Sequence, residues 1–160
     1  MRKGDTVFIK YMEQTPVGTL KIVSDGKALR EISFFEGEVL EDKPDSITDE
    51  AEKQLREYFV GKRRDFDIPL TLEGTPFRKK VWKELCNIPY GMTVSYKYIA
   101  KKIDCKAARP VGGANNKNPI VIVVPCHRVI GQNGALTGYG GGLWRKEILL
   151  ELESKYKEVK

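Results

Sequence analysis

Through the first 35 residues apolar and polar positions roughly alternate, the two-residue period of half-buried strands. Thr6–Tyr11, Thr19–Ser24 and Leu29–Phe35 are rich in β-branched and aromatic residues and read as three strands. Pro16-Val17-Gly18 and Asp25-Gly26-Lys27 mark the turns between them, and Asp-Gly accepts positive φ at little cost. The acidic stretch from Glu36 to Asp49 reads as loop. A helical period follows, with Ala51, Leu55, Tyr58 and Phe59 on one face. Asp49 is the predicted N-cap, with Glu52 three residues on, and Gly61 ends the helix.

A boundary falls near Asp67–Gly74, predicting one unit over residues 1–70 and a second over 75–160. The second unit opens on Thr75-Pro76, a hydroxyl cap followed by proline at the first helical position. Phe77, Val81, Trp82 and Leu85 form the apolar face of that helix, and Ile88-Pro89-Tyr90-Gly91 breaks it. Ser95 caps a short helix carrying Tyr98, Ile99 and Ile103, and a third runs from Ala107 to about Asn116. Two short helices joined by a tight turn suggest a helix-turn-helix. Gly112-Gly113-Ala114 inside the third helix costs about 1 kcal/mol per glycine relative to alanine. Either a close helix crossing or a close approach to a sugar-phosphate backbone would explain it; Arg109, one turn earlier, fits the second. Ile120–Val124 is an unbroken apolar run that predicts a buried strand ending at Pro125.

Charge sharpens the division. The net +6 splits into 12 Lys+Arg against 16 Asp+Glu over residues 1–73, and 16 against 6 over residues 74–160. Cations clustered in one half favour a polyanionic partner bound there, because phosphate contacts release counterions. Hydrophobic residues at 41% supply a core, and no apolar run approaches a membrane span. The N-terminus leads into alternating sequence rather than a leader's apolar core, so the mature chain is expected to start here. The three cysteines, Cys86, Cys105 and Cys126, suit a reducing compartment with a free thiol, and no metal site is expected.

The chemistry concentrates where the apolar run ends, at Pro125-Cys126-His127-Arg128-Val129-Ile130-Gly131. A cysteine beside a core strand is ordinarily packing. Here the chain's only histidine is adjacent, and an imidazole is the usual partner for activating a thiol. The cation of Arg128 favours thiolate as well. Downstream, Gly138-Tyr139-Gly140-Gly141-Gly142 makes a flexible wall able to admit a flat ligand. Cys86 and Cys105 lie at helix ends without such company.

The stretch Pro125-Cys126-His127-Arg128-Val129 resembles the active-site signature of the O6-alkylguanine-DNA alkyltransferases, the methylated-DNA–protein-cysteine methyltransferases. Pro89-Tyr90-Gly91 with Thr93-Val94-Ser95-Tyr96, then Ala108–Ala114, Asn118-Pro119 and Gly138–Leu143, follow in the family's order, so the resemblance covers Thr75 to Glu153. It implies an α+β protein. The N-terminal unit would be ribonuclease H-like, a small antiparallel sheet with a helix. The C-terminal unit would be winged-helix-like, with the helix-turn-helix.

The resemblance also implies roles. Cys126 would take the alkyl group from guanine O6 irreversibly, one molecule per lesion, with no cofactor. His127 would relay a proton through a water, oriented by Glu153, and Tyr96 would donate a hydrogen bond to the departing guanine. Arg109 would fill the stack vacated by the flipped base, with Gly112 and Gly113 in the minor groove. Asn118 would tie that helix to the active-site turn. Arg128, Val129, Tyr139, Gly140 and Gly141 complete the expected DNA and substrate contacts. The partner is double-stranded DNA bearing O6-alkylguanine, met by a monomer in the cytoplasm, or in the nucleus of a eukaryote.

Pro110 and Asn115-Asn116 depart from the family's commoner choices, and its zinc-binding members carry first-domain ligands that are missing before Cys86. Two rivals remain: a helix-turn-helix DNA-binding protein without chemistry, and a cysteine hydrolase. The second seldom places nucleophile and base side by side, since they must face each other across a site.

Overall fold

The computed structural model describes residues 6–132, 134 and 139–158, and the chain divides into two compact units, residues 1–72 and 73–160. In the first, β1 (Phe8–Thr15), β2 (Gly18–Ser24) and β3 (Leu29–Phe34) form an antiparallel sheet in that order. Helix α1 (Ser46–Phe59) packs on it. Leu20, Ile22, Leu29 and Ile32 of the sheet and Ala51, Leu55 and Tyr58 of the helix are fully buried, so the two periodicities meet in one core. At the β2–β3 turn Gly26 has φ +90, and the Asp25 carboxylate accepts from Lys27 N and Ala28 N.

The helix starts earlier than its pattern suggests. Asp45, not Asp49, is the N-cap, accepting from Thr48 N at 2.8 Å while Thr48 Oγ1 accepts from Asp45 N at 2.9 Å. Threonine fills the place of the glutamate in this reciprocal box. The Ser24 hydroxyl also donates to Asp45 at 2.8 Å, a tertiary contact that helps select the cap.

The second unit contains α2 (Pro76–Leu85), β4 (Val94–Ser95), α3 (Tyr96–Lys102), α4 (Arg109–Asn115), a 3-10 turn (Cys126–Arg128), β5 (Val129–Ile130) and α5 (Leu143–Tyr156). Thr75 and Ser95 cap α2 and α3 through their hydroxyls. Helices α2, α3 and α4 pack together, and Trp82 Nε1 donates to Ala114 O at 2.8 Å across the α2–α4 contact. The short strands β4 and β5 pair in parallel, Val94 with Val129 and Ser95 with Ile130. That pairing places Tyr96, next along the chain, beside the segment following Cys126. Among the described residues no helix is long and apolar enough to cross a membrane.

Ile120–Val124 is not a strand. Val123 N donates to Val121 O and Val124 N to Ile120 O, folding the run into a tight turn. Ile122 sits at φ +73, rare for a β-branched residue. Its flanking two-residue hydrogen bond makes a strained γ-turn. Ile120, Ile122 and Val124 still point inward, which is why the run is apolar. Burial, not strand pairing, set the composition.

Candidate active site

Cys126 begins the 3-10 turn and is 3% exposed. Its approach is a second tight turn: Pro125 lies at φ −82, ψ 64, with Cys126 N donating to Val124 O at 2.8 Å. The side chain of Asn118 braces this segment, donating from Nδ2 to Val124 O at 2.7 Å and accepting from Ile120 N at 3.0 Å. Tyr139 Oη lies 3.9 Å from Cys126 Sγ.

His127 is fully buried, and its Nε2 lies 2.7 Å from Glu153 Oε2, on α5. The same carboxylate receives Arg128 through Nε at 2.8 Å and Nη2 at 3.0 Å, and Gly91 N at 3.1 Å. Arg128 Nη1 also donates to Ile88 O at 2.7 Å. Burial works against a charged Glu153, but hydrogen bonds from His127 and Arg128 outweigh it and hold the carboxyl well below the usual range. Burial pushes the His127 pKa down, against the pull of Glu153. The ring is then neutral near pH 7, with Nε2–H donating to the carboxylate. Its Nδ1 is buried with no hydrogen-bond partner among the described residues, and so stands as an open acceptor.

Burial also pushes the Cys126 thiol up, while hydrogen bonds from Asn118 and Tyr139 and the charge of Lys146 pull it back. Lys146, on α5, is fully buried; its Nζ donates to Val129 O at 2.5 Å and lies 5.8 Å and 5.9 Å from the ring centroids of Tyr96 and Tyr139. Burial lowers its own pKa to about 8, opposed by attraction to Cys126. Sequence reasoning passed over this lysine. The available signal was its face: Lys146, Leu149 and Glu153 share one buried stripe of α5.

Cys126, His127, Glu153, Asn118 and Tyr139 thus converge. Arg128 does not reach outward as a DNA contact: at 5% exposure its guanidinium is committed to Glu153 and Ile88. Nor is it the cation supporting the thiol, a part that falls to Lys146. Val129 is fully buried and paired to β4. In the expected pocket wall, Gly138 lies outside the described residues. A Cβ on Gly140 would approach Asn116 O to 3.3 Å, and Gly141 O accepts from Arg145 Nη1 at 2.9 Å.

Arg109, Pro110 and Gly113 lie on the exposed side of α4. A Cβ on Gly113 would meet nothing within 4 Å, and one on Gly112 only the Tyr96 ring at 3.9 Å. Among the described residues no helix crossing requires either glycine. Among the described residues nothing packs against the Gly113 side of this face.

Two family models match the chain: the ribonuclease-like domain of 6-O-methylguanine DNA methyltransferase over residues 7–72, and its DNA binding domain over residues 76–155. A methylated-DNA–protein-cysteine methyltransferase of Methanosarcina acetivorans is 48% identical over 147 residues, covering 88% of this chain and 94% of that one. The inducible enzyme of that name from Bacillus subtilis is 42% identical over 151 residues, covering 91% and 84%. The crystal structure of Mycobacterium tuberculosis O6-methylguanine methyltransferase superposes with a TM-score of 0.86 at 44% identity, covering 97% of each chain. The same organism's protein in complex with DNA gives 0.84 at 46%, covering 92% and 93%. With both units matched and identity approaching one half along nearly the whole chain, this protein belongs to the methylated-DNA–protein-cysteine methyltransferase family.

Proposed function

We propose that this protein repairs DNA by direct reversal, moving the alkyl group of O6-alkylguanine onto Cys126. The observation that carries the reading is the buried row of Cys126, His127 and Glu153, in which the carboxylate fixes the imidazole and leaves Nδ1 as the open acceptor. A water between Sγ and Nδ1 relays the thiol proton to His127. The ammonium of Lys146 and the Tyr139 hydroxyl support the thiolate that results.

Substitution at carbon demands such a soft nucleophile. The S–C bond forms as the C–O6 bond breaks, and the electron pair leaves with guanine. Tyr96 donates a hydrogen bond to the departing base, bringing it closer to neutral. Nothing in the site cleaves a thioether, so one molecule is consumed per lesion.

Guanine O6 lies inside the duplex, so the nucleotide must be extruded at a cost of a few kcal/mol. The exposed face of α4 serves that step: Gly112 and Gly113 let the helix backbone settle into the minor groove, and Arg109 occupies the vacated place in the stack. Arg145, Lys146 and the Tyr139–Gly141 segment close the pocket. The protein acts as a monomer.

The test is direct. Incubation with a duplex carrying O6-methylguanine, then tryptic mapping by mass spectrometry, is expected to show one methyl per protein on the Cys126 peptide. An unmodified thiol with the lesion intact would overturn the reading.

A further inference from the structure

Asn115 ends helix α4 and is 1% exposed. Its Nδ2 donates to the carbonyl of Cys126 at 3.3 Å, an oxygen that also accepts from Val129 N. Three residues on, Asn118 holds the carbonyl of Val124. Two amides from one short segment therefore grip the carbonyls of the residue before Pro125 and of the nucleophile itself.

The segment is continuous with α4. Asn116 N donates to Gly112 O and Lys117 N to Ala114 O, both at 3.1 Å, and Asn118 N donates to Asn115 O at 3.4 Å. The turn it grips is strained at Ile122, and such a conformation persists only where its surroundings over-determine it. The Asn115 amide also carries a penalty. Its Oδ1 is buried without a hydrogen-bond partner among the described residues, a loss that an apolar side chain of similar size would avoid. Only the donor half of the amide offsets that loss.

We infer that Asn115 is a positioning residue for the alkyl transfer: it fixes the Cys126 carbonyl to α4, so that the helix meeting DNA and the nucleophile move as one body. The inference rests on the alkyl-transfer reading above. Asn115 contributes nothing to charge at the thiol. Its effect is on where Sγ stands when α4 is seated.

The test uses the full chain with Asn115→Leu, which matches the amide in branching, and Asn115→Ser, which is small enough to fold should the bulkier leucine not fit. Single-turnover transfer from an O6-methylguanine duplex is followed at saturating DNA, and Kd for an undamaged duplex is measured separately. Both variants are expected to melt cooperatively and to lose at least about tenfold in the saturated rate, because small misplacements of reacting atoms are costly. Kd should stay at its native value. A native rate in the folded variants would overturn the inference, as would a loss confined to Kd. Absence of transfer in the unaltered protein would instead bring down the alkyl-transfer reading, and this inference with it.

Discussion

Glu153 Oε2 stands 2.7 Å from His127 Nε2, and the same carboxylate takes two N–H groups of Arg128. One buried anion thus holds the imidazole and neutralises a buried cation. Glu153→Gln keeps the shape and removes the charge. Transfer from an O6-methylguanine duplex should slow by about 10²-fold, the lower range for loss of acid–base assistance. Leaving Arg128 unpaired should cost about 3–5 kcal/mol of stability. Single-turnover kinetics and denaturant unfolding read the two effects separately; an unchanged rate would remove Glu153 from the mechanism.

Lys146 places a buried ammonium among Tyr96, Tyr139 and Cys126. Its replacement in Lys146→Met withdraws the charge that favours thiolate. The pH profile of Cys126 alkylation by iodoacetamide should shift to the alkaline side, and transfer at neutral pH should slow. A profile that stayed in place would show that the ammonium serves packing alone.

The buried pair also sets an acid limit on stability. His127 has its folded pKa below the ordinary 6.5, so the unfolded chain binds the extra proton first as pH falls. Its contribution is complete above about 6.5 and declines below it. Glu153, depressed from 4.5, adds a second loss as pH falls further. Tm followed from pH 8 down to about pH 2 should therefore drop in two stages. In His127→Gln the stage nearer neutrality should vanish; its persistence would place its origin elsewhere.

Gly113 has open space where a side chain would stand. Gly113→Leu should leave Tm unchanged or raise it, since leucine favours a helix by up to about 1 kcal/mol over glycine. Repair of duplex substrate should nevertheless fall well below that of free O6-benzylguanine. Equal effects on the two substrates would show that this face does not meet DNA.

Arg109 is exposed at the start of α4. Arg109→Ala should slow transfer from duplex more than transfer from free O6-benzylguanine, because only the duplex requires base extrusion. Matching losses would count against insertion into the stack.

Much of this was legible without coordinates where the signal is local. The caps of α2 and α3 were legible because Thr75 and Ser95 act on amides three residues away. The three strands followed from alternation, and Cys126, His127 and Glu153 from the motif and its order. The α1 cap was misplaced by four residues because Asp45 and Asp49 have the same chemistry. A contact from Ser24, distant in sequence, helps decide between them.

By itself the sequence determined the three strands of the first unit, the basic second half and the contiguous motif that carries Cys126. Each is written in composition, period or a contiguous motif. The tertiary structure decided the rest. It turned the Ile120–Val124 run from strand to strained turn, because burial selects apolar residues whatever the backbone does. Arg128 was withdrawn from the surface to clamp Glu153, and Lys146 brought into the site from α5 in its stead. Asn115 was set against the nucleophile's own carbonyl. These are pairings of groups 11 to 40 residues apart, and no local pattern specifies which buried polar group will meet which.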